Sequence, residues 1–261
     1  MTEPAMTARE VCQHIAALSP PLGSEEGFRY GDSEAVVSGV LVCWMATLAA
    51  MQQAVAEGCN LIVCHEDLFF PYAFLDPAFE KHITWPVNRA RIRAMAGHDL
   101  VVYRSHSTLD RALICDEFSR ALGLGESLVR DYYYRLHAVT PTTVGELAQA
   151  VKGRLGLPTV RVTGDLGGAV SRVGLAVGGT GLSVNVGFLN GLLEYKPDVI
   201  ITGEADEYAM RFMVDMGVPM IETGHAASEN PGLKALCPVL EERVPGLKVV
   251  YWECERPWVA V

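Results

Sequence analysis

Short apolar runs alternate with helix-forming segments along almost the whole chain, and this alternation limits the fold more than any other feature. "VVSGVLVCW", "NLIVC", "DLVVYRSH", "TVRVTG", "RVGLAVGG", "DVIITGE", "PMIETGH" and "LKVVYWE" read as strands. Around them lie helix-like stretches: "AREVCQHIAALSP", stopped by Pro20 and Pro21, "TLAAMQQAVAEG", closing at Gly58, and "PVNRARIRAMAGH", closing near Gly97. "DRALICDEFSRALGL" follows, with Asp110 placed as its N-cap, then "TVGELAQAVKGRLGL", "VGFLNGLLEYK", "DEYAMRFMVDMG" and "GLKALCPVLEERV". Strands separated by helices of about ten or more residues belong to α/β layers with largely parallel pairing. Runs as continuously apolar as "LIVC" suit strands covered on both faces.

The alternation lapses around 125–145, where "GLGESLVRDYYYRLHAVTPTT" breaks it. The expected fold is therefore α/β in two lobes with mixed sheets. The first lobe takes residues 1–130 and is completed by about 220–261; the second takes 131–219.

Charge and cysteine usage narrow the partners. Lys and Arg number 21 against 31 Asp and Glu, a formal net charge of -10, and no basic stripe is visible. That balance argues against a chain that grips nucleic acid through phosphates. No apolar run reaches the roughly 18 residues of a spanning helix, and "MTEPAMTARE" lacks the basic start and apolar core of a secretory leader. Seven scattered cysteines with no C-x-x-C pair argue against a disulfide framework and against a cysteine-based zinc site. A reduced, cytoplasmic protein with a small-molecule substrate and no membrane contact is expected.

Three of the strands end alike. "LIVC" leads into His65-Glu66-Asp67, "LVVYRS" into His106 and then Asp110, and "PMIETG" into His225 and then Glu229. Ligands gather beyond the carboxyl ends of strands in open α/β sheets. His106 with Asp110, and His225 with Glu229, are four residues apart, which points both members of a pair the same way on a helical turn. Imidazole with carboxylate suits zinc, manganese, iron or cobalt. Glu66, Asp110, Glu229 and a bridging hydroxide would balance two divalent ions, so a dinuclear centre is feasible in a partly buried site. Each residue also has a plainer reading, as a capping side chain or a solvated loop. "GGTG" at 178–181 lacks the Gly-Lys-Ser/Thr ending of a phosphate loop and reads as a tight strand-to-helix turn. The aromatic run "DYYYR" at 131–135 suits packing between lobes or subunits better than base stacking.

The segments "VCHEDLFF", "SHSTLD", "ITGEADEYA" and "TGHAASE", in that order, resemble the markers of the Nif-three-like (Ngg-one-interacting factor three) family, whose bacterial members are known as GTP cyclohydrolase I type 2 homologues. "VKGRLGLPTVRVTGD" and "AVGGTGLS" resemble its middle section, and the likeness covers about residues 35–255. The resemblance implies a two-metal site in the cleft between the lobes, holding two divalent ions, with zinc, manganese or iron as candidates. By position, His65, Asp110 and His225 match its ligands, Glu229 matches the carboxylate that bridges both ions, and His106 lies in or beside the surrounding layer. Where the family has a second histidine this chain has Glu66, and Asp67 stands for a proline. A carboxylate there hardens the site and favours manganese, iron or magnesium, or leaves a single ion.

The resemblance also implies a homohexamer and a metal-dependent hydrolase acting on a nucleotide-like or cyclic amide or phosphoester substrate, with GTP cyclohydrolase-type activity as the model. His106 or Glu66, whichever is not a ligand, would move the proton. A non-enzymatic metal-binding regulatory or assembly protein is the alternative.

Overall fold

Two mixed β-sheets, one in each of two units, organise the chain. The computed structural model describes residues 6–20, 26–72 and 81–261. The first unit is Met1–Ala112 with Leu233–Glu255, and the second is Leu113–Gly232 with Arg256–Val261.

In the first unit, helix α1 (Ala8–Ala16) starts at Thr7, which forms a reciprocal capping box with Glu10. The strands are β1 (Gly27–Tyr30), β2 (Val40–Cys43), β3 (Leu61–Cys64), β4 (Val101–Arg104) and β11 (Val249–Trp252), in the order β1-β4-β3-β2-β11. Strands β11, β2, β3 and β4 run parallel, and β1 runs antiparallel along the β4 edge. Helix α2 (Leu48–Ala56), capped by Thr47, links β2 to β3; α3 (Pro86–Gly97), with Pro at its first position, precedes β4. Every residue of β2, β3 and β4 is buried, as the unbroken apolar runs require. Each fully buried Val, Leu or Ile there contributes about 1.5–3 kcal/mol. Cys43, Cys64 and Arg104 lie side by side in the ladder, so the loops after β3 and β4 leave the sheet together.

The second unit orders its strands β5-β6-β8-β9-β10-β7: β5 (Ser127–Asp131), β6 (Tyr134–Thr143), β7 (Arg161–Thr163), β8 (Ala169–Ala176), β9 (Val199–Thr202) and β10 (Met220–Glu222). Strands β8, β9 and β10 are parallel, and the other pairings are antiparallel. Ala176, Thr202 and Glu222 are level in register, so three loops leave this sheet side by side. Its helices include α6 (Val144–Arg154), with a Thr143–Glu146 capping box, α7 (Val186–Leu193) and α8 (Glu207–Asp215), capped by Asp206. Helix α9 (His225–Arg243) follows β10; its residues up to Gly232 belong to this unit.

Three sequence expectations change. Asp110 is not an N-cap. The chain is already helical in α4 (Ser107–Leu109), Asp110 has φ -51° and ψ -48°, and it opens a π-helical turn, Asp110–Ile114, that leads into α5 (Cys115–Ala121). Helix α9 begins at His225, before the "GLKALCPVLEERV" segment, despite the helix-breaking Pro231-Gly232 pair. Packing overrides propensity there: a Cβ on Gly232 would lie 2.5 Å from Ile114 Cα, so only glycine permits the close approach. The irregular stretch 123–143 holds the β5–β6 hairpin, and its pairing with β8 slips between Ala138 and Thr142, around Pro141, which has no N–H to donate. Tyr133 and Tyr134, from the "DYYYR" run, set their rings edge-on to Phe188 of α7, 5.7 and 6.1 Å between centroids. Among the described residues no helix is long and apolar enough to cross a membrane, and the seven cysteines are free thiols.

Candidate metal centre

The first donor set grows from the ends of β3 and β4. His65 and Glu66 follow β3, and both their backbone N–H groups donate to Trp44 O, at 3.0 and 2.8 Å. The His65 ring is fully buried, and its Nδ1 lies 3.0 Å from Ser105 O. A carbonyl oxygen only accepts, so Nδ1 carries a proton, and in the neutral ring Nε2 keeps its lone pair. That Nε2 faces Asp110 Oδ1 at 3.4 Å. His106 stacks on His65, with ring centroids 4.5 Å apart and planes 17° apart, and its Nδ1 is 3.7 Å from Asp110 Oδ2. Donor atoms of His65, His106 and Asp110 all lie within 4.8 Å of one another.

Buried partners hold this set in place. Arg104 Nε donates to His65 O at 3.0 Å while its Nη1 pairs with Asp67 Oδ1 at 2.8 Å, and both side chains are almost fully buried. Glu66, next to His65 in the chain, is 1% exposed. Burial pushes the Cys64 thiol up to about 11, with Arg104 pulling the other way, so it stays a neutral packing group that donates to Glu66 O. Further along the loop, Asn88 donates to Phe70 O and accepts from Phe70 N–H, and Arg91 donates to Leu68 O and lies over the Phe70 ring.

Glu26 supplies what Asp110 was expected to supply. Its Oε1 accepts from His106 N–H at 3.0 Å, Thr108 N–H at 2.9 Å and Ser107 Oγ at 2.9 Å. A carboxylate from outside the helix thus satisfies the first amide donors of α4. Freed from capping, Asp110 turns its carboxylate to the two histidines.

The second set grows from the loops after β8, β9 and β10. His225 opens α9, with Nδ1 2.9 Å from Glu204 Oε2 and Nε2 3.2 Å from Glu229 Oε1, one helical turn on. A carboxylate accepting at Nδ1 again leaves, in the neutral ring, the Nε2 lone pair facing a second carboxylate. Glycines let the backbone close in. A Cβ on Gly178, whose φ is +57°, would fall 3.2 Å from His225 Nε2 and 3.0 Å from Glu229 Cδ, and nearer still to Glu229 Oε1. The "GGTG" segment is a 3-10 turn, Gly178–Gly181, and Gly178 N–H donates to Ser228 Oγ, which donates to His225 O.

Among the sequence-chosen residues, His65, His106 and Asp110 therefore converge in the first unit, with Glu66 next in the chain, and His225 converges with Glu229 in the second. The first set is a three-residue group that could hold a metal ion, and the second pairs one imidazole with one carboxylate. In each, an imidazole is oriented through Nδ1, a carboxylate oxygen faces Nε2, and in the second the cradle at Gly178 excludes a methyl group. Sequence reasoning assigned no role to Glu26, Glu204 or Ser228, read Gly178 only as part of a tight turn, and did not pair Asp67 with Arg104. Glu204 was visible in "ITGE" as a polar residue just past an apolar strand. Glu26 carried no such signal.

The family model described as Duf34/NIF3 (NGG1p interacting factor 3) matches residues 6–257. Curated relatives named "GTP cyclohydrolase 1 type 2 homolog" include one from Clostridium perfringens, 24% identical over 86% of this chain and 87% of its own length. Another, from Nostoc, is 27% identical over 82% of this chain and 79% of its own. Among solved structures, the Staphylococcus aureus hypothetical protein SA1388 superposes with a TM-score of 0.82 at 18% identity, covering 98% and 99% of the two chains. A Bacillus cereus protein related to NIF3 gives 0.80 at 15%, covering 98% and 99%. At these identities the superpositions establish the fold alone.

Proposed function

The chain belongs to the Duf34/NIF3 family, and from that premise we propose that it is a divalent-metal protein and a metal-dependent hydrolase. One observation carries the reading. His65 and His225 each tie Nδ1 to an acceptor, at 3.0 and 2.9 Å, and each turn Nε2 toward a carboxylate oxygen, at 3.4 and 3.2 Å. Two acceptor atoms facing each other at that distance repel unless a cation or proton joins them, and imidazole with carboxylate is a donor pair that suits a divalent cation.

His65 and Asp110, with Glu66, would hold metal in the first unit, and His225 and Glu229 in the second. Two ions balance the three carboxylates and a hydroxide. Zinc, manganese and iron are the candidates, and the extra carboxylate of Glu66 tilts the choice toward manganese or iron. Bound divalent ions supply a low-pKa water and polarise the bond to be cleaved. The chain's own contribution is orientation and proton movement: Ser105 O and Glu204 fix the two imidazoles, and Arg104 anchors the His65 carbonyl. His106, a quarter exposed and stacked on His65, moves the proton, with Glu66 as the other candidate. The name borne by relatives in Clostridium perfringens and Nostoc, "GTP cyclohydrolase 1 type 2 homolog", leads us to propose a nucleotide-like heterocycle or a cyclic amide as substrate. A cytoplasmic homohexamer belongs to the same proposal, and light scattering on the purified protein tests its mass.

The test is a screen of metal-loaded protein against nucleotides, phosphoesters and cyclic amides. Hydrolysis that His225→Ala abolishes supports the proposal. Tight loading without turnover on any metal refutes the enzyme and leaves a metal-binding regulatory or assembly protein. For Glu66, the Ala variant should lose metal and the His variant should keep two ions and shift toward zinc; unchanged loading in Glu66→Ala removes it from the ligand set.

A further inference from the structure

We infer that Glu204 is a positioning residue for His225, and that its charge makes the two histidine–carboxylate sets unequal in metal affinity. The inference rests on the metal-binding reading above. Both imidazoles are held through Nδ1, but by different chemistry. His65 meets the neutral carbonyl of Ser105 at 3.0 Å, and His225 meets the carboxylate of Glu204 at 2.9 Å. Either acceptor selects the same tautomer. Only the carboxylate adds a negative charge behind the ring, which raises the basicity of Nε2 and strengthens its hold on a cation.

The backbone around Glu204 is built to keep that contact. Glu204 N–H donates to Gly178 O at 2.8 Å, and Gly224 N–H donates to Gly203 O at 2.6 Å, so the loops after β8, β9 and β10 are laced edge to edge. A Cβ on Gly203 would collide with Gly178 and with Ser228 Oγ, so the loops meet only where glycine allows. The Glu204 side chain itself is 47% exposed while His225 is 17% exposed. It packs no core, and its removal should leave the fold intact. The carboxylate acts on the metal through His225.

Chelator competition with zinc on the full-length protein tests the inference. Glu204→Ala should weaken the ion that depends on His225 by about 10–100-fold and leave the ion that depends on His65 unchanged. Glu204→Gln, which keeps an acceptor oxygen without the charge, should fall between. Glu207→Gln, an exposed change on α8, should match wild type. Long-range proton–nitrogen spectra of the metal-free protein give a second readout: the His225 ring should be a fixed Nδ1–H tautomer in wild type and a mixture in Glu204→Ala. Wild-type zinc affinity in Glu204→Ala overturns the inference, and so does an unchanged His225 tautomer. If wild type binds no metal, the proposed function fails instead, and the tautomer readout still decides the role of Glu204.

Discussion

Gly178→Ala gives a sharp perturbation of the second donor set. The residue has φ +57°, in the left-handed region, where a Cβ costs roughly 1–2 kcal/mol. The new methyl would sit 3.0 Å from Glu229 Cδ and 3.2 Å from His225 Nε2, with Glu229 Oε1 closer than any real Cβ contact. Glu229 is 2% exposed and has little room to retreat. Overpacking of a buried site adds about 1–3 kcal/mol. Taken together, a loss near 3 kcal/mol is expected, which for a chain of this size lowers the melting temperature by about 6–12 °C. The displaced carboxylate should also lose its place opposite His225 Nε2, so metal affinity should fall with stability. Thermal melts of metal-free protein read the first effect, and metal content after dialysis reads the second. A Gly178→Ala protein that melts within about 2 °C of wild type and keeps its full metal content would refute the view that glycine makes room for this cluster.

Other predictions follow from single contacts. Glu26→Ala removes the shared acceptor of His106 N–H, Thr108 N–H and Ser107 Oγ, and urea denaturation should show a loss of about 1–3 kcal/mol; a change under about 0.5 kcal/mol contradicts the cap. Asp67→Asn leaves the buried Arg104 guanidinium without its charge partner and should cost about 3–5 kcal/mol; a near-neutral result would mean the pair does not fix the loop. Burial holds the His137 pKa below its usual 6.5, against hydrogen bonds that its ring makes to the 125–126 backbone, Nδ1 donating to Gly125 O. The unfolded chain therefore takes up that proton first as pH falls, so this contribution to stability is full above about pH 6.5 and is lost below it. His137→Gln should flatten the stability profile between pH 7 and pH 5, and an unchanged slope would assign it to other groups.

The parallel cores were legible because their strands are short, unbroken and apolar: "LIVC", "VVY" and "VIIT" suit strands covered on both faces, and the sheets place them so. The hairpin at 127–143 was not legible, because Pro141 and the three tyrosines disguise a two-faced antiparallel pair. The start of α9 was hidden by Pro231-Gly232, whose poor helix propensity is overruled by the contact of Gly232 with Ile114. At the site, spacing of four pointed to His106 with Asp110 and to His225 with Glu229, and those side chains do meet. Of the groups that orient them, Glu26 did not show, and Glu204 showed only as a polar residue after an apolar strand, with no sign of its partner. Glu26 and Glu204 reach across 80 and 21 residues to their partners, a distance over which local pattern carries no information.

The metal content of purified protein, wild type beside His65→Ala and His225→Ala, tests the central claim most directly. About two divalent ions per chain are expected in wild type, with each variant losing affinity for at least one. A wild-type chain without divalent metal after loading, or a His65→Ala/His225→Ala double variant that loads as wild type does, would contradict it.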